Sequence, residues 1–365
     1  MNAPRKVQRV LVTAGGTGGH VFPALAAAKL FQEQGVDVRW LGTHQGIESR
    51  IVPANNIAIE YLDVAGVRGQ GVVRLLLAPL KIVRAVARVV QVIRQYKPDA
   101  VLGMGGFVTG PTGIGAWLAG CPLFIHEQNA IAGFTNKVLA KFARRVFQAF
   151  PSTFADSAKV ETTGNPVRTE IAAVEAPETR YAKHEGPIRF LILGGSQGAV
   201  ALNERVPQAL AQLQGKLEFV VKHQAGAKNQ QTAERFYKEA GVQAEVIPFI
   251  EDMAAAYGWA DAVICRSGAL TVSELAAAGV AALLVPFPFA VDDHQTRNGE
   301  YLSRNGAAHL VQQKDMTTES LAQLLLQSFA SREQLKQMAV KARALAMTDA
   351  TRKVVQQCLE VASGK

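Results

Sequence analysis

Four runs of small residues carry the chemistry open to this chain. Ala14-Gly15-Gly16-Thr17-Gly18-Gly19-His20, Gly103-Met104-Gly105-Gly106-Phe107-Val108-Thr109-Gly110 and Gly194-Gly195-Ser196-Gln197-Gly198 are glycine-rich, and Arg266-Ser267-Gly268-Ala269-Leu270-Thr271-Val272-Ser273-Glu274 follows an apolar stretch. Glycine admits positive φ and close approach, and a helix start offers free N–H groups with a partial positive charge. Phosphate is the natural guest. One such turn could equally be a turn that merely needs glycine, but two in matching positions with a third favour binding. In the fourth run, Glu274 falls a turn or so into a helix, where a carboxylate can accept both hydroxyls of a ribose; the alternative is a carboxylate that favours the helix dipole. The strict dinucleotide pattern G-x-G-x-x-G is missing, and the second strands end Trp40-Leu41-Gly42-Thr43 and Val221-Lys222-His223 without the ribose-binding acid. No G-x-x-x-x-G-K-[ST] loop occurs either. A nicotinamide enzyme and a P-loop NTPase are therefore disfavoured.

Each run needs a strand before it and a helix after it. Arg9–Thr13 reads as a buried strand and Val21–Gln34 as an Ala/Leu-rich helix stopped by Gly35; Ile188–Leu193 and a helix from about Ala199 repeat the unit. Further strands are expected at Val36–Leu41, Ala100–Leu102 and Leu123–His126, then at Leu217–Lys222, Glu245–Ile247, Ala262–Cys265 and Ala282–Val285. Continuous apolar strands alternating with helices imply parallel sheets covered on both faces. Two such starts predict an α/β chain of two doubly wound domains facing one cleft, with a boundary near Asn165-Pro166. Glu175–Pro187 is polar, lacks periodicity and reads as a connection or edge. Segment 331–363 is helical in pattern and could return to either domain.

The composition agrees with that size. A chain of 365 residues, 48% hydrophobic and 19% charged, is about two domains and is not a disordered polymer. Cys121, Cys265 and Cys358 are odd in number and far apart, so neither a disulfide framework nor a Cys-x-x-Cys zinc site follows. Thirty-nine Lys and Arg against 30 Asp and Glu give a net charge of +9, which suits an anionic partner. Nucleic acid is disfavoured, because aromatics are only 7% and no recognition motif is present. The basic N-terminus is not followed by a long apolar stretch, and no apolar run reaches the roughly 18 to 20 residues that span a bilayer. The expected compartment is the cytoplasm.

Six motifs then occur in order: Gly15 to Pro23, Gly103 to Phe107, His126-Glu127-Gln128-Asn129, Gly164-Asn165-Pro166-Val167-Arg168, Gly194 to Gly198, and Arg266 to Glu274. On these the chain closely resembles the MurG family of bacterial peptidoglycan N-acetylglucosaminyltransferases, from about Val10 to Asn298. The resemblance implies a GT-B fold, two doubly wound Rossmann-like domains. It implies an N-terminal acceptor and membrane-binding domain over 1–165, with about 345–365 returning to it, and a C-terminal UDP-GlcNAc-binding domain over 166–344. It further implies inverting transfer of GlcNAc from UDP-GlcNAc to undecaprenyl-pyrophosphoryl-MurNAc-pentapeptide. No cofactor is implied, the place is the cytoplasmic face of the inner membrane, and other cell-wall synthesis proteins are partners. The alternative on the same fold is a UDP-GlcNAc 2-epimerase-like isomerase, which would need no membrane surface; the segments Gly103–Pro111 and His126–Asn129 speak against it.

Transfer needs a base, stabilisation of departing UDP and a fixed sugar. His20 is the expected base, since a histidine can take a proton near neutral pH, although its helix start disfavours the protonated form. Capping the helix or binding the acceptor diphosphate are its other readings. Glu127 competes as base, or is a structural carboxylate bonded to its own loop. No Asp-x-Asp motif occurs and the histidines are not paired as in zinc sites, so no metal is expected. Ser196, the Ala269–Thr271 amides and Arg168 would then hold the diphosphate, unless Arg168 is a plain surface residue. The matching family positions place Thr17, Gly18, Gly19 and Asn129 near the donor sugar, and Gly105 and Gly106 toward the acceptor. By the same resemblance Ile250 contacts uracil through its backbone, or simply packs. Ala269, Leu270, Thr271, Val272, Ser273 and Glu274 line the nucleotide, and Gln295 holds GlcNAc hydroxyls with Asn298 nearby. Within 72–93, Arg74, Leu76, Leu80, Lys81 and Arg84 mix apolar and basic character, which suits an anionic membrane surface; an ordinary amphipathic helix is the bland alternative. Pro79 is expected to start or kink that helix, and Trp117 is a weaker membrane candidate.

Overall fold

A computed structural model describes residues 6–64, 72–195 and 198–364. The chain divides into two units, 1–166 with 348–365, and 167–347. The first holds strands β1 (Arg9–Thr13), β2 (Asp37–Gly42), β3 (Ala58–Tyr61), β4 (Ala100–Gly103), β5 (Leu123–Glu127), β6 (Arg145–Gln148) and β7 (Val160–Thr162). Every pairing is parallel, in the order β3-β2-β1-β4-β5-β6-β7. The second holds β8 (Ile188–Leu193), β9 (Phe219–Gln224), β10 (Glu245–Ile247), β11 (Ala262–Cys265), β12 (Ala281–Leu284) and β13 (Ala308–Leu310), also all parallel, in the order β10-β9-β8-β11-β12-β13.

Central strands such as β4, β11 and β12 are buried along their whole length, which is why they read as unbroken apolar runs. Helices cover both faces of the first sheet. Val21, Ala24 and Phe31 of the helix Gly18–Glu33 pack on one side, and Val89 and Ile93 of the helix Val72–Tyr96 on the other. The segment 331–363 forms two helices with different destinations. Leu335, Met338 and Ala339 of Arg332–Ala344 enter the second unit's core, whereas Val354, Val355 and Cys358 of Ala350–Ala362 enter the first unit's.

Three local expectations change. The polar stretch 175–187 contains the helix Pro177–Lys183, opened by Pro177 and fixed from its buried side by Tyr181 and Arg180. Arg180 donates to the carbonyls of Glu175 and Ala278, so this buried charge belongs to the core and masks the periodicity. The helix after β1 begins at Gly18 rather than Val21, with Thr17 as N-cap, so Gly18 and Gly19 form its first turn. The helix Val72–Tyr96 begins ahead of Pro79, which therefore does not start it.

Candidate active site

In each sheet the chain reverses its winding direction at one place, between β1 and β4 in the first unit and between β8 and β11 in the second. Open α/β sheets bind ligands in the crevice at the carboxyl ends of those two strands. All four small-residue runs emerge there, one from each of β1, β4, β8 and β11.

In the first unit the two glycine runs lie against each other. The Gly15 amide donates to the Gly105 carbonyl at 3.3 Å, and the Met104 amide to the Thr13 carbonyl at 2.8 Å. Thr17, Gly18 and Gly19 make the helix start, and His20 projects from its first turn, partly exposed. Nδ1 of His20 is 2.9 Å from Oε1 of Gln128, whose Nε2 donates to the Met104 carbonyl at 2.8 Å. Gly105 has φ of 98°, and a Cβ on it would overlap the His20 ring, so this position requires glycine twice over. Gly106 lies against the Gly15 carbonyl. Beneath the loop, the buried Glu48 accepts from the Gly16 amide at 3.0 Å and from the amide and hydroxyl of Thr43 at 2.9 and 2.7 Å. Glu48 thus anchors the first glycine run from a helix elsewhere in the chain.

Glu127 ends β5 and is 3% exposed. One of its oxygens accepts from the Asn129 amide (3.0 Å) and Nδ2 (3.2 Å), the other from the Gly133 amide (3.0 Å) and Asn136 Nδ2 (2.9 Å). Four donors saturate the carboxylate. The arrangement holds Asn129 in place and makes Glu127 a loop anchor. His126, just before it, is buried and donates through Nε2 to the Gly164 carbonyl at 2.9 Å; burial pushes its pKa down to about 4.

In the second unit the helix Ala269–Ala278 starts at the end of β11 with Gly268 as N-cap. Its first turn, Ala269, Leu270 and Thr271, aims its amides out of the helix start, where the helix dipole favours an anion. Val272 is buried, Ser273 returns its hydroxyl to the Ala269 carbonyl at 3.0 Å, and Glu274 points inward, 6% exposed. Glu274 meets Arg168 Nη2 at 3.0 Å through one oxygen and the hydroxyl of buried Tyr257 at 3.1 Å through the other. Burial pushes the Glu274 carboxyl above the ordinary range, and the guanidinium and the tyrosine hydroxyl pull it partway back. Arg168 is thus no loose surface residue, and Glu274 sits too deep to act only on the helix dipole.

Ile250 is buried in the turn after β10. Gln295, in the first turn of the helix His294–Ser303, accepts from the Phe287 amide at 2.9 Å, and Asn298 is buried below it. The loop before this helix carries Asp292 and Asp293 at φ of 53° and 52°, a left-handed conformation that aspartate tolerates. In the run after β8, a Cβ on Gly198 (φ 76°) would overlap the Ala225 carbonyl. Ser196 lies outside the described residues. Among the described residues, no three His, Cys, Asp or Glu side chains come together as a metal-holding group.

Arg74, Leu76, Leu80, Lys81 and Arg84 all fall on the helix Val72–Tyr96. Leu80 and Val83 are half exposed or more, with Lys81 and Arg84 beside them. Trp117 and Leu118 of the neighbouring helix Thr109–Leu118 are similarly exposed, and Trp117 packs on Phe142 at 5.0 Å. Arg88, on the same stripe, turns instead to Glu60 at 3.2 Å. Among the described residues no helix is long and apolar enough to cross a membrane.

Three supporting residues stand out only in the structure. Gln128 is visible in the sequence only as a neighbour of Glu127. Glu48 and Tyr257 carry no sequence signal, since nothing near either of them points to a glycine loop or a carboxylate.

Comparison with known proteins follows the same division. The glycosyltransferase family 28 N-terminal domain matches residues 10–148, and the family 28 C-terminal domain matches residues 189–354. The chain is 52% identical over 363 residues to the UDP-N-acetylglucosamine–N-acetylmuramyl-(pentapeptide) pyrophosphoryl-undecaprenol N-acetylglucosamine transferase of Marinobacter nauticus, covering 100% of this chain and 99% of that one. The crystal structure of Acinetobacter baumannii MurG superposes with a TM-score of 0.85 at 48% identity, covering 96% of this chain and 99% of that one. A UDP-GlcNAc 2-epimerase from Neisseria meningitidis, at 14% identity and a TM-score of 0.67 over 97% of this chain and 100% of that one, shares the fold alone.

Proposed function

The chain belongs to glycosyltransferase family 28, and from that premise we propose that it moves N-acetylglucosamine from UDP-GlcNAc onto undecaprenyl-pyrophosphoryl-MurNAc-pentapeptide, an enzyme of peptidoglycan synthesis with a GT-B fold. The observation that carries the reading is full-length identity above half to a transferase of that name. The epimerase alternative rests on fold alone and is set aside.

The chemistry follows from the two crevices. His20 takes the proton of the acceptor hydroxyl as that oxygen attacks the anomeric carbon; the bond to UDP breaks on the opposite face, so configuration inverts. His20 suits the role because it is partly open, whereas every lone pair of Glu127 aimed at its loop is in use. UDP leaves with its charge on the diphosphate. The amides of Ala269–Thr271, Ser196 and Arg168 stabilise that charge, so no metal is required. Glu274 receives the ribose hydroxyls. Arg168 rests on Glu274, so the residue for the diphosphate and the residue for the ribose lie side by side. Thr17, Gly18, Gly19 and Asn129 face the transferred sugar, with Gln295 on its hydroxyls, Ile250 on the uracil, and Gly105 and Gly106 toward the acceptor.

The acceptor is a lipid, which gives the exposed apolar and basic residues around Leu80, Lys81, Arg84 and Trp117 a use. They form a peripheral site for an anionic membrane on the cytoplasmic face, each basic residue contributing about 1 kcal/mol. The test is incubation with UDP-GlcNAc and a short-chain lipid-linked MurNAc-pentapeptide, in EDTA, following UDP release and product mass. A product heavier by one GlcNAc, formed only with acceptor, is expected. UDP-GlcNAc converted to a sugar isomer, or hydrolysed without acceptor, would overturn the reading.

A further inference from the structure

We propose that Gln128 is a positioning residue that fixes the tautomer of His20, so that the imidazole always presents the lone pair of Nε2. The inference rests on the reading of His20 as base and assigns the device that makes it one. The Met104 carbonyl can only accept, so the side-chain nitrogen of Gln128 must be the atom that faces it at 2.8 Å. This settles which way the amide points, and its oxygen is left facing Nδ1 of His20 at 2.9 Å. An amide oxygen can only accept as well, so Nδ1 carries the hydrogen in the neutral ring. The lone pair is then on Nε2, which has no partner among the described residues. Gln128 is itself 1% exposed and locked at both ends, so its amide is held from flipping. Gly105 closes the Nδ1 side of the ring, since no side chain fits there. The backbone carbonyl of Met104 therefore dictates, through one amide, which imidazole nitrogen can take a proton. An imidazole without such a partner would carry its hydrogen on Nε2 for much of the time, and that form has no base to offer there.

The test uses the full chain with Gln128→Met, close in shape and without an acceptor, and Gln128→Glu, which keeps an acceptor toward Nδ1. Imidazole ¹⁵N chemical shifts report the His20 tautomer, with the His20 signal assigned by its loss in His20→Ala. Transfer kinetics supply kcat and KM for UDP-GlcNAc. Wild type and Gln128→Glu should show Nδ1–H, and Gln128→Met should show a mixture. Loss of a fixed tautomer costs up to about 10⁴-fold in a serine protease; here only part of the population is lost, so kcat of Gln128→Met should fall roughly 10- to 100-fold, with KM for UDP-GlcNAc within about threefold, while Gln128→Glu should recover most of that loss. An unchanged tautomer in Gln128→Met overturns the proposal whatever the activity. A changed tautomer with wild-type kcat overturns instead the reading of His20 as base.

Discussion

Removing one oxygen from the second unit should cost stability by an amount that depends on pH. Tyr257 is fully buried and its hydroxyl is the only partner, among the described residues, of the Glu274 oxygen that Arg168 does not hold. Tyr257→Phe keeps the ring and deletes that donor. A hydrogen bond to a charged group is worth about 1.5–3 kcal/mol and one between neutral groups about 0.5–1.5 kcal/mol. With Glu274 ionised the substitution should therefore cost about 2 kcal/mol, and with it protonated about 1 kcal/mol, so the loss is larger at pH 8 than at pH 5. The sign follows from linkage. Burial already holds the Glu274 carboxyl above its unfolded value, and loss of a donor raises it further. A group whose folded pKa is raised contributes most below the unfolded pKa and loses that contribution as pH rises through the folded one, so the gap between variant and wild type widens upward. For a unit of this size each kcal/mol shifts the midpoint by roughly 2–4 °C. Thermal unfolding at pH 5 and pH 8 reads the difference, with Glu274→Gln and the double variant closing a cycle. In the Glu274→Gln background the tyrosine should cost only the neutral amount, with no pH dependence. Equal losses at both pH values and in both backgrounds would refute the reasoning.

Other outcomes follow from single contacts. His20→Ala should lower turnover about 10²- to 10⁴-fold with UDP affinity within about threefold of wild type; retained turnover removes the base. Glu127→Gln strands two of its four donors and should cost about 1–3 kcal/mol in thermal stability, while lowering turnover far less than His20→Ala; an equal kinetic loss would make Glu127 the base. Gly105→Ala forces an alanine to a φ of 98° and against His20, so turnover should drop while UDP binding measured by calorimetry holds; normal turnover would show the ring needs no such clearance. Lys81→Gln with Arg84→Gln should weaken binding to anionic vesicles by about 2 kcal/mol, roughly 30-fold, and leave turnover on a water-soluble acceptor unchanged; unaltered vesicle binding in flotation would place the membrane contact elsewhere.

Sequence pattern is informative where burial is uniform. Ala262–Cys265 is buried along its whole length, so every residue is apolar and its bounds are plain, and Ile188–Leu193 breaks the same pattern only at the half-buried Arg189. The edge strands Ala58–Tyr61, Val160–Thr162 and Ala308–Leu310 are short and half buried, and no alternation survives in three or four residues. The helix Pro177–Lys183 is hidden because one of its inward residues, Arg180, is charged. At the site, glycine turns and Glu274 announce themselves by spacing along the chain. Their supports do not, because Gln128 reaches His20 across 108 positions and Glu48 reaches Gly16 across 32. Only the strand order brings such pairs together.

The path of the chain also sets the schedule on which it can be made. The first unit is interrupted between Pro166 and Thr348, and Val354, Val355 and Cys358 complete the core around Phe31 and Trp40. During translation the amino-terminal sheet therefore waits, with an apolar slot open, while the whole of the second unit is synthesised. The second unit is continuous and can fold as soon as it clears the ribosome. The slot fills only when the helix Ala350–Ala362 emerges, so a ribosome stalled before that helix holds a nascent chain with a greasy, chaperone-attracting surface.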